Sequence, residues 1–494
     1  MNNKLRLYPN LSVDGIKDKI IVYGEKSQIG DVVLLQLYSK MQTKNAEPIA
    51  AETLIGALKD KIDDIKWSLI LVDKKSINST IQWLNKKPPL VIGISIPQGT
   101  LPIAQKIIKS IYKKPSFKNT QIVFGHAIPT FLNKFFDKNY PKCEVISGWG
   151  ENDFVNIVFK KLNKSKNTVD ENNFPIPIRV GKKGEYFRRI EASRGCGYGS
   201  CSFCARTSNG PNYTENTIDN LQTQLEQLKK IGDKYFGFSD EDFMGDPKKI
   251  NEFIKIIKPY HLFFSAALRV ETIIPNDSKL KAKRICDIKK LVDSGLKLAF
   301  IGVESLVETQ QRRYNKHIIG GVNSCIQATS VLLKFGCDVN IGMIIFDPES
   351  TIAELKETTN ILLKNELYKY IGHPFNSLFL REGSILAKKY NLSKKYLNLN
   401  TLEYKWNFSN QEVCIIYKKC IKWWRPLEKK IILVRNLLRE TPGENNKKIK
   451  EKYHDILKQT VIVLKKATNN ENNFKSETQK IIDNLQYIST KISK

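Results

Sequence analysis

Residues 190–206 read Ile-Glu-Ala-Ser-Arg-Gly-Cys-Gly-Tyr-Gly-Ser-Cys-Ser-Phe-Cys-Ala-Arg. Cys196, Cys201 and Cys204 fall within nine residues, in a loop loosened by Gly195, Gly197 and Gly199. Three thiolates this close suit one soft metal centre. A structural zinc site takes four protein ligands, as does an iron–sulfur cluster held by protein alone. No fourth Cys or His stands nearby in the sequence. Three ligands leave one metal position open, and an open position is where chemistry takes place.

The segments around the loop set the fold. An apparent strand over 186–192 leads into it. Beyond it, helical patterns at 218–231, 247–258, 285–294, 321–335 and 350–363 alternate with apolar strands at 235–239, 262–267, 298–303 and 338–345. Repeated strand–helix units predict a partial or full (β/α) barrel, with polar residues at the carboxyl ends of the strands, where barrel active sites lie. Upstream, strands at 18–25, 68–72, 90–96, 121–124 and 144–147 alternate with helices at 46–61, 76–84, 101–113 and 129–136. That pattern predicts a Rossmann-like parallel sheet with helices on both faces, binding ligands beyond its strand ends. Turn residues gather at three such ends: 95–100, 125–130 and 148–151. The polar stretch 161–184 reads as a linker. From about residue 390 the pattern becomes helical and lysine-rich, over 412–438 and 447–467. The chain is therefore of the α/β class, divided into residues 1–165, 183–388 and a helical region 389–494.

A chain of 494 residues supports several sizeable cores. No apolar run approaches a membrane span, and residues 1–10 have no apolar signal core. Cys143, Cys286, Cys325, Cys337, Cys414 and Cys420 stand alone, which is no disulfide framework. A reducing cytoplasmic setting is expected. The formal charge of +30 admits a polyanion partner, but the lysines run from Lys4 to Lys494 and describe a solvated surface better than a binding face.

Ser193-Arg194-Gly195-Cys196 and Cys201-Ser202-Phe203-Cys204 resemble the cluster loop of radical S-adenosylmethionine (SAM) enzymes. One feature departs: four residues, not the family's usual three, separate the first two cysteines. The resemblance implies a [4Fe–4S] cluster on Cys196, Cys201 and Cys204, and SAM cleaved to a 5′-deoxyadenosyl radical with electrons from a donor such as a flavodoxin or ferredoxin. It places Phe203 near the adenine, Asp240 or Glu241 against the SAM ammonium, Arg269 against its carboxylate and Glu304 near its ribose or amine. Residues 342–348 look like the family's backbone contact to adenine.

Residues 18–160 resemble the cobalamin-binding domain of one large subgroup, with Ser95 on the cobalamin face. The Asp-x-His-x-x-Gly signature of cobalt-ligating domains is absent, since Lys74 and Lys75 follow Asp73. His126 reads as a turn histidine. Cobalamin binding and a degenerate scaffold both stay open for this domain. The expectation is a radical SAM enzyme, with cobalamin-dependent methyl transfer or ring rearrangement if cobalamin binds, acting on an unidentified substrate. The C-terminal helices are expected to cover the barrel mouth and shape the substrate site; Trp423, Trp424 and Tyr417 are candidates for that site, though aromatics at helical spacing are more often core. The alternatives are a zinc-stabilised RNA-binding protein and an RNA-modifying radical SAM enzyme; nucleic acid is not the favoured partner and no membrane is expected.

Overall fold

The computed structural model describes residues 21–24, 29–41, 46–164, 174–205, 213–243, 250–316, 318–372, 375–440 and 447–492. The first sheet contains β1 (Ile21–Gly24), β2 (Val32–Leu37), β3 (Trp67–Val72), β4 (Val91–Ser95), β5 (Gln121–Gly125) and β6 (Glu144–Val145). Its order is β1-β3-β2-β4-β5-β6; β1 is antiparallel and the rest are parallel. The chain leaves β2 for β3, then returns across it to β4. The order thus reverses between β2 and β4, which opens a crevice at their carboxyl ends. Alternate residues feed opposite faces. Val32 and Leu34 pack with Ile55, Leu58 and Phe154. Val33, Leu35 and Leu37 pack with Ile77, Ile81 and Ile107.

The second sheet starts at β7 (Arg188–Ile190). After it, β8 (Ser193–Arg194) and β9 (Thr214–Glu215) form a short antiparallel ladder. Then come β10 (Tyr235–Phe238), β11 (Phe263–Arg269), β12 (Leu296–Glu304) and β13 (Asp338–Met343). The parallel order β13-β12-β11-β10-β7 makes an open, partial barrel. Parallel bridges extend both margins: Ile341 to Ile371 beside β13, and Ala46 to Phe187 next to β7. Local chemistry sets the helix ends. The Thr217 side chain accepts from Asn220 N to start Ile218–Ile231, and Gly232 at φ 85 ends it. Thr351 and Glu354 form a capping box at the start of Ile352–Lys364.

Helices Gln411–Glu440, Lys447–Thr468 and Lys475–Ile492 follow. The second packs on Ile352–Lys364, on the flank of the barrel. Trp424 is buried in that core; Trp423 and Tyr417 pack against it. No helix among the described residues is long and apolar enough to cross a membrane.

Three local expectations are corrected. No strand is expected at 32–37 from the sequence pattern, yet β2 is the buried strand at the switch point. The helix expected over 129–136 is two short ones, Ala127–Phe131 and Asn133–Asn139, broken at Leu132. A final helix, Lys475–Ile492, lies beyond the helical segments expected from the sequence. The strand expected at 18–25 is seen as Ile21–Gly24, and the helix expected at 247–258 as Ile250–Ile257. Residues 18–20, 25 and 247–249, with 165–173 of the linker, lie outside the described residues.

Candidate active site

The carboxyl ends of the two sheets face one cavity of about 1410 Å³. The first sheet contributes Ser95 and Gln98 after β4, Gly125, His126 and Thr130 after β5, and Gly148–Glu151 after β6. The barrel contributes residues 194–201 with Phe203 and Cys204, then Asp240 and Glu241, Ala267–Arg269, Phe300, Gly302, Glu304 and Lys316. Thus Ser95, Cys196, Cys201, Phe203, Cys204, Asp240, Glu241, Arg269 and Glu304, distant from one another in sequence, share one wall system.

The cysteine loop is gripped from below by the segment after β12. Ser202 N donates to Tyr314 O at 2.8 Å, and Ser202 Oγ to Arg313 O at 2.9 Å. That segment is anchored in turn by Asp347, which is fully buried. Asp347 Oδ2 accepts from the Tyr314 hydroxyl at 2.6 Å and from Gln310 Nε2 and Arg313 Nη2 at 2.9 Å. On the other side, Arg194 ties the loop to the first domain. It donates to Glu151 at 2.7 Å and Glu191 at 2.9 Å, and its guanidinium carbon lies 4.1 Å from the Trp149 ring centroid.

The thiols fit a cluster by chemistry and by exposure. All three are free, half-buried and on the cavity wall. Burial pushes the Cys201 thiol up to about 11; Lys316 opposes the shift, while Cys204, Glu304 and Cys196 add to it. Among the described residues, no group of three or more His, Cys, Asp and Glu side chains converges as a site for a single ion. A cluster needs no such convergence, because each thiolate holds its own iron.

The acidic pair after β10 divides its work. Asp240 is buried; its oxygens accept from Ser193 Oγ at 2.5 Å and Ala192 N at 3.0 Å, so it is spent on holding the strand before the cysteines. Glu241, the next residue, lies on the cavity wall. Glu304 ends β12 in a left-handed conformation, φ 65, uncommon for a residue with a Cβ. Its carboxylate stands 4.0 Å from Lys316 Nζ. Burial raises its pKa and Lys316 opposes the rise. Gly302 leaves room for that pair: a Cβ there would come within 3.0 Å of Glu304 Oε1. Phe203 meets the Tyr314 ring edge-on at 5.5 Å.

On the first domain's side, Ser95 Oγ is buried and has no hydrogen-bond partner within the protein. A Cβ built on Gly125 would meet nothing within 4 Å, so that strand end borders open space. Both observations fit a large polar ligand resting on this edge. His126 has φ 80 and ψ −170, a region that non-glycine residues rarely visit. Its Nδ1 accepts from Ala127 N at 2.7 Å, as in a turn.

Sequence reasoning gave no site role to Lys316, Arg194 or Tyr198: Arg194 stands in the quoted loop motif and Tyr198 in its four-residue gap, while no motif marks Lys316. It also misplaced the cover: no residue after Leu402 lines the cavity among those described. Arg381, Glu382 and Leu402 do, because the chain turns back onto the first domain there. Asn400 accepts from Gly99 N at 2.7 Å and from Leu101 N at 3.1 Å. The C-terminal helices lie on the flank instead, where their apolar faces find the barrel's outer helices.

Comparison with known proteins agrees with this geometry. Residues 190–362 match the model of the Radical SAM superfamily. The chain is 26% identical over 341 residues to 4'-phospho-dehydrooxetanocin synthase of Priestia megaterium, covering 59% of this chain and 45% of that protein. It is 26% identical over 235 residues to bacteriochlorophyllide d C-8(2)-methyltransferase of Chlorobaculum tepidum, covering 42% of this chain and 49% of that one. The chain thus spans about half the length of these curated relatives. Among solved structures, the cobalamin-dependent SAM radical enzyme OxsB, with aqua-cobalamin and SAM bound, superposes with a TM-score of 0.74 at 18% identity over 94% of this chain and 80% of that one. The radical SAM methyltransferase TsrM from Kitasatospora setae gives 0.52 at 12% identity over 68% and 74%. At these identities the likeness speaks to fold.

Proposed function

With residues 190–362 a radical SAM domain, we propose that the protein is a radical SAM enzyme whose first domain binds cobalamin, and that it catalyses methyl transfer or a rearrangement on a substrate held between the two sheets. In this reading residues 1–165 carry the cobalamin, 183–388 the cluster and SAM, and 389–494 brace the barrel. The observation that supports it best is the single cavity shared by the cysteine loop and the carboxyl edge of the first sheet.

Cys196, Cys201 and Cys204 would hold a [4Fe–4S] cluster, which supplies the electron that cleaves SAM. Glu241 offers an anion to the SAM ammonium, and a charge-assisted contact of this kind is stronger than a neutral one. Arg269 presents a planar fork suited to a carboxylate. Phe203, backed by Tyr314, gives the adenine an apolar wall. Glu304 and Lys316 form a polar pair beside the sulfurs. Ser95 offers its hydroxyl to cobalamin. The segment carrying Arg381, Glu382 and Leu402 narrows the opening and so limits water around the reacting groups. The Radical SAM match and the open cavity favour this reading over a zinc-stabilised RNA-binding protein.

Anaerobic reconstitution tests it. The protein should bind about four irons, and with SAM and a reductant it should release 5′-deoxyadenosine, S-adenosylhomocysteine or both. Cys204→Ala should lose the iron. Neither product from protein that keeps its cluster would defeat the proposal, and failure to retain cobalamin on gel filtration would remove the first domain from it.

A further inference from the structure

We propose that Tyr198, carried by the long gap between Cys196 and Cys201, is a positioning residue that holds Arg269 for the carboxylate of SAM. The inference rests on the reading of Arg269 given above.

The gap is Gly197-Tyr198-Gly199-Ser200. Its glycines make few contacts: a Cβ on Gly197 would meet nothing within 4 Å, and Gly199 sits at φ 58. Tyr198 is the residue of the gap with a long side chain, and that side chain reaches back to the barrel. Its hydroxyl donates to Asn315 O at 2.6 Å. Asn315 answers from its own side chain, with Nδ2 donating to Ser200 O at 2.9 Å. Asn315 adopts φ 46, which Asn tolerates better than most residues. The gap is thus pinned to the segment after β12 at two points, and these fix the plane of the Tyr198 ring.

Arg269 ends β11 and lies against that ring, its guanidinium carbon 4.4 Å from the centroid. Its other neighbours are carboxylates that attract it without a side-chain hydrogen bond: Nη2 stands 3.2 Å from Glu271 Oε2 in an ion pair, and the buried Asp242 feels its charge. Arg269 Nε is buried with no hydrogen-bond partner. A guanidinium stacked on an aromatic face keeps its edge donors for an anion in the plane. The unanswered Nε is such a donor, on a residue of the cavity wall. The longer gap therefore supplies an aromatic plate under a cation that hydrogen bonds alone do not orient.

The test is SAM binding by equilibrium dialysis to anaerobically reconstituted protein, with iron measured on each sample. Tyr198→Ala should weaken SAM binding about tenfold while iron stays at the wild-type level. Tyr198→Phe, which keeps the ring, should stay within about threefold of wild type. In an Arg269→Ala background, Tyr198→Ala should cause little further loss, because the two residues act as one. Unchanged SAM affinity in Tyr198→Ala, or losses that simply add in the double variant, would overturn the proposal. So would loss of iron in both Tyr198 variants, which would make the residue part of loop folding. Wild-type protein that holds its iron yet binds no SAM would instead defeat the reading on which this inference stands.

Discussion

Asp240 is a carboxylate whose burial outweighs its hydrogen bonds. Desolvation pushes its pKa up to about 7, against the two donors from Ser193 and Ala192. The folded value lies above the unfolded one of about 3.9. Its contribution to stability is therefore complete below the unfolded pKa and is lost as pH rises towards the folded pKa. Denaturant titrations between about pH 4 and pH 7 should show the wild type losing stability relative to Asp240→Asn, by about 1.4 kcal/mol for each pH unit crossed; parallel pH profiles would disprove this. Asp347 is a fully buried acid with several donors converging on one oxygen. Asp347→Ala should cost about 1–3 kcal/mol in denaturant unfolding, since it leaves the buried Tyr314 hydroxyl and Gln310 without their shared acceptor while Arg313 keeps Glu354. It should also loosen the cysteine loop, read as faster iron release to a chelator. That these residue types meet at one cavity was legible in the sequence, but that Ser193 and Ala192 take up the Asp240 oxygens was not. Those partners lie nearly fifty residues away, which spacing does not reveal.

Several elements beyond the cysteines were legible because their helices have local start and stop signals, but the helix expected at 285–294 begins earlier, at Ser278, where Asp277 caps it. Ile218–Ile231 falls where the pattern places it, between Thr217 and Gly232. Thr351→Ala removes one half of the capping box and should cost about 1 kcal/mol in thermal or denaturant unfolding; no change would mean that packing alone holds that turn. β2 escaped notice for a physical reason. Val-Val-Leu-Leu-Gln-Leu is buried on both faces, so it shows no alternation, and a short apolar run does not distinguish strand from helix. The helix expected over 129–136 broke at Leu132, whose conformation no neighbouring Gly or Pro announces. The cavity's cover was misassigned for a related reason. Amphipathic spacing shows that a helix has an apolar face, and says nothing of what that face meets.

At the scale of the molecule, the two sheets are joined by buried charge. Glu47 accepts from Arg179 at 2.7 Å, from Arg188 at 3.0 Å and from the Arg189 backbone at 2.6 Å. Arg188 also donates to Asp233 at 2.9 Å. Both Glu47 and Arg188 side chains are fully buried. Glu47→Gln would remove the carboxylate that Arg179 and Arg188 share, although Arg188 keeps Asp233, and should cost about 3–5 kcal/mol; a smaller loss on adding Arg188→Met would identify the pair as coupled. Gly56 is a second point of contact: a Cβ there would lie 2.0 Å from Ile176 O. None of this was visible in the sequence, where 161–184 read only as a linker. The bridge from Ala46 to Phe187 carries one more consequence. A half-closed barrel has raw margins, and an unpaired strand invites other chains; here a strip of the upstream domain occupies that margin beside β7. A fragment beginning at residue 183 would lose that cover and is expected to self-associate, which gel filtration would show.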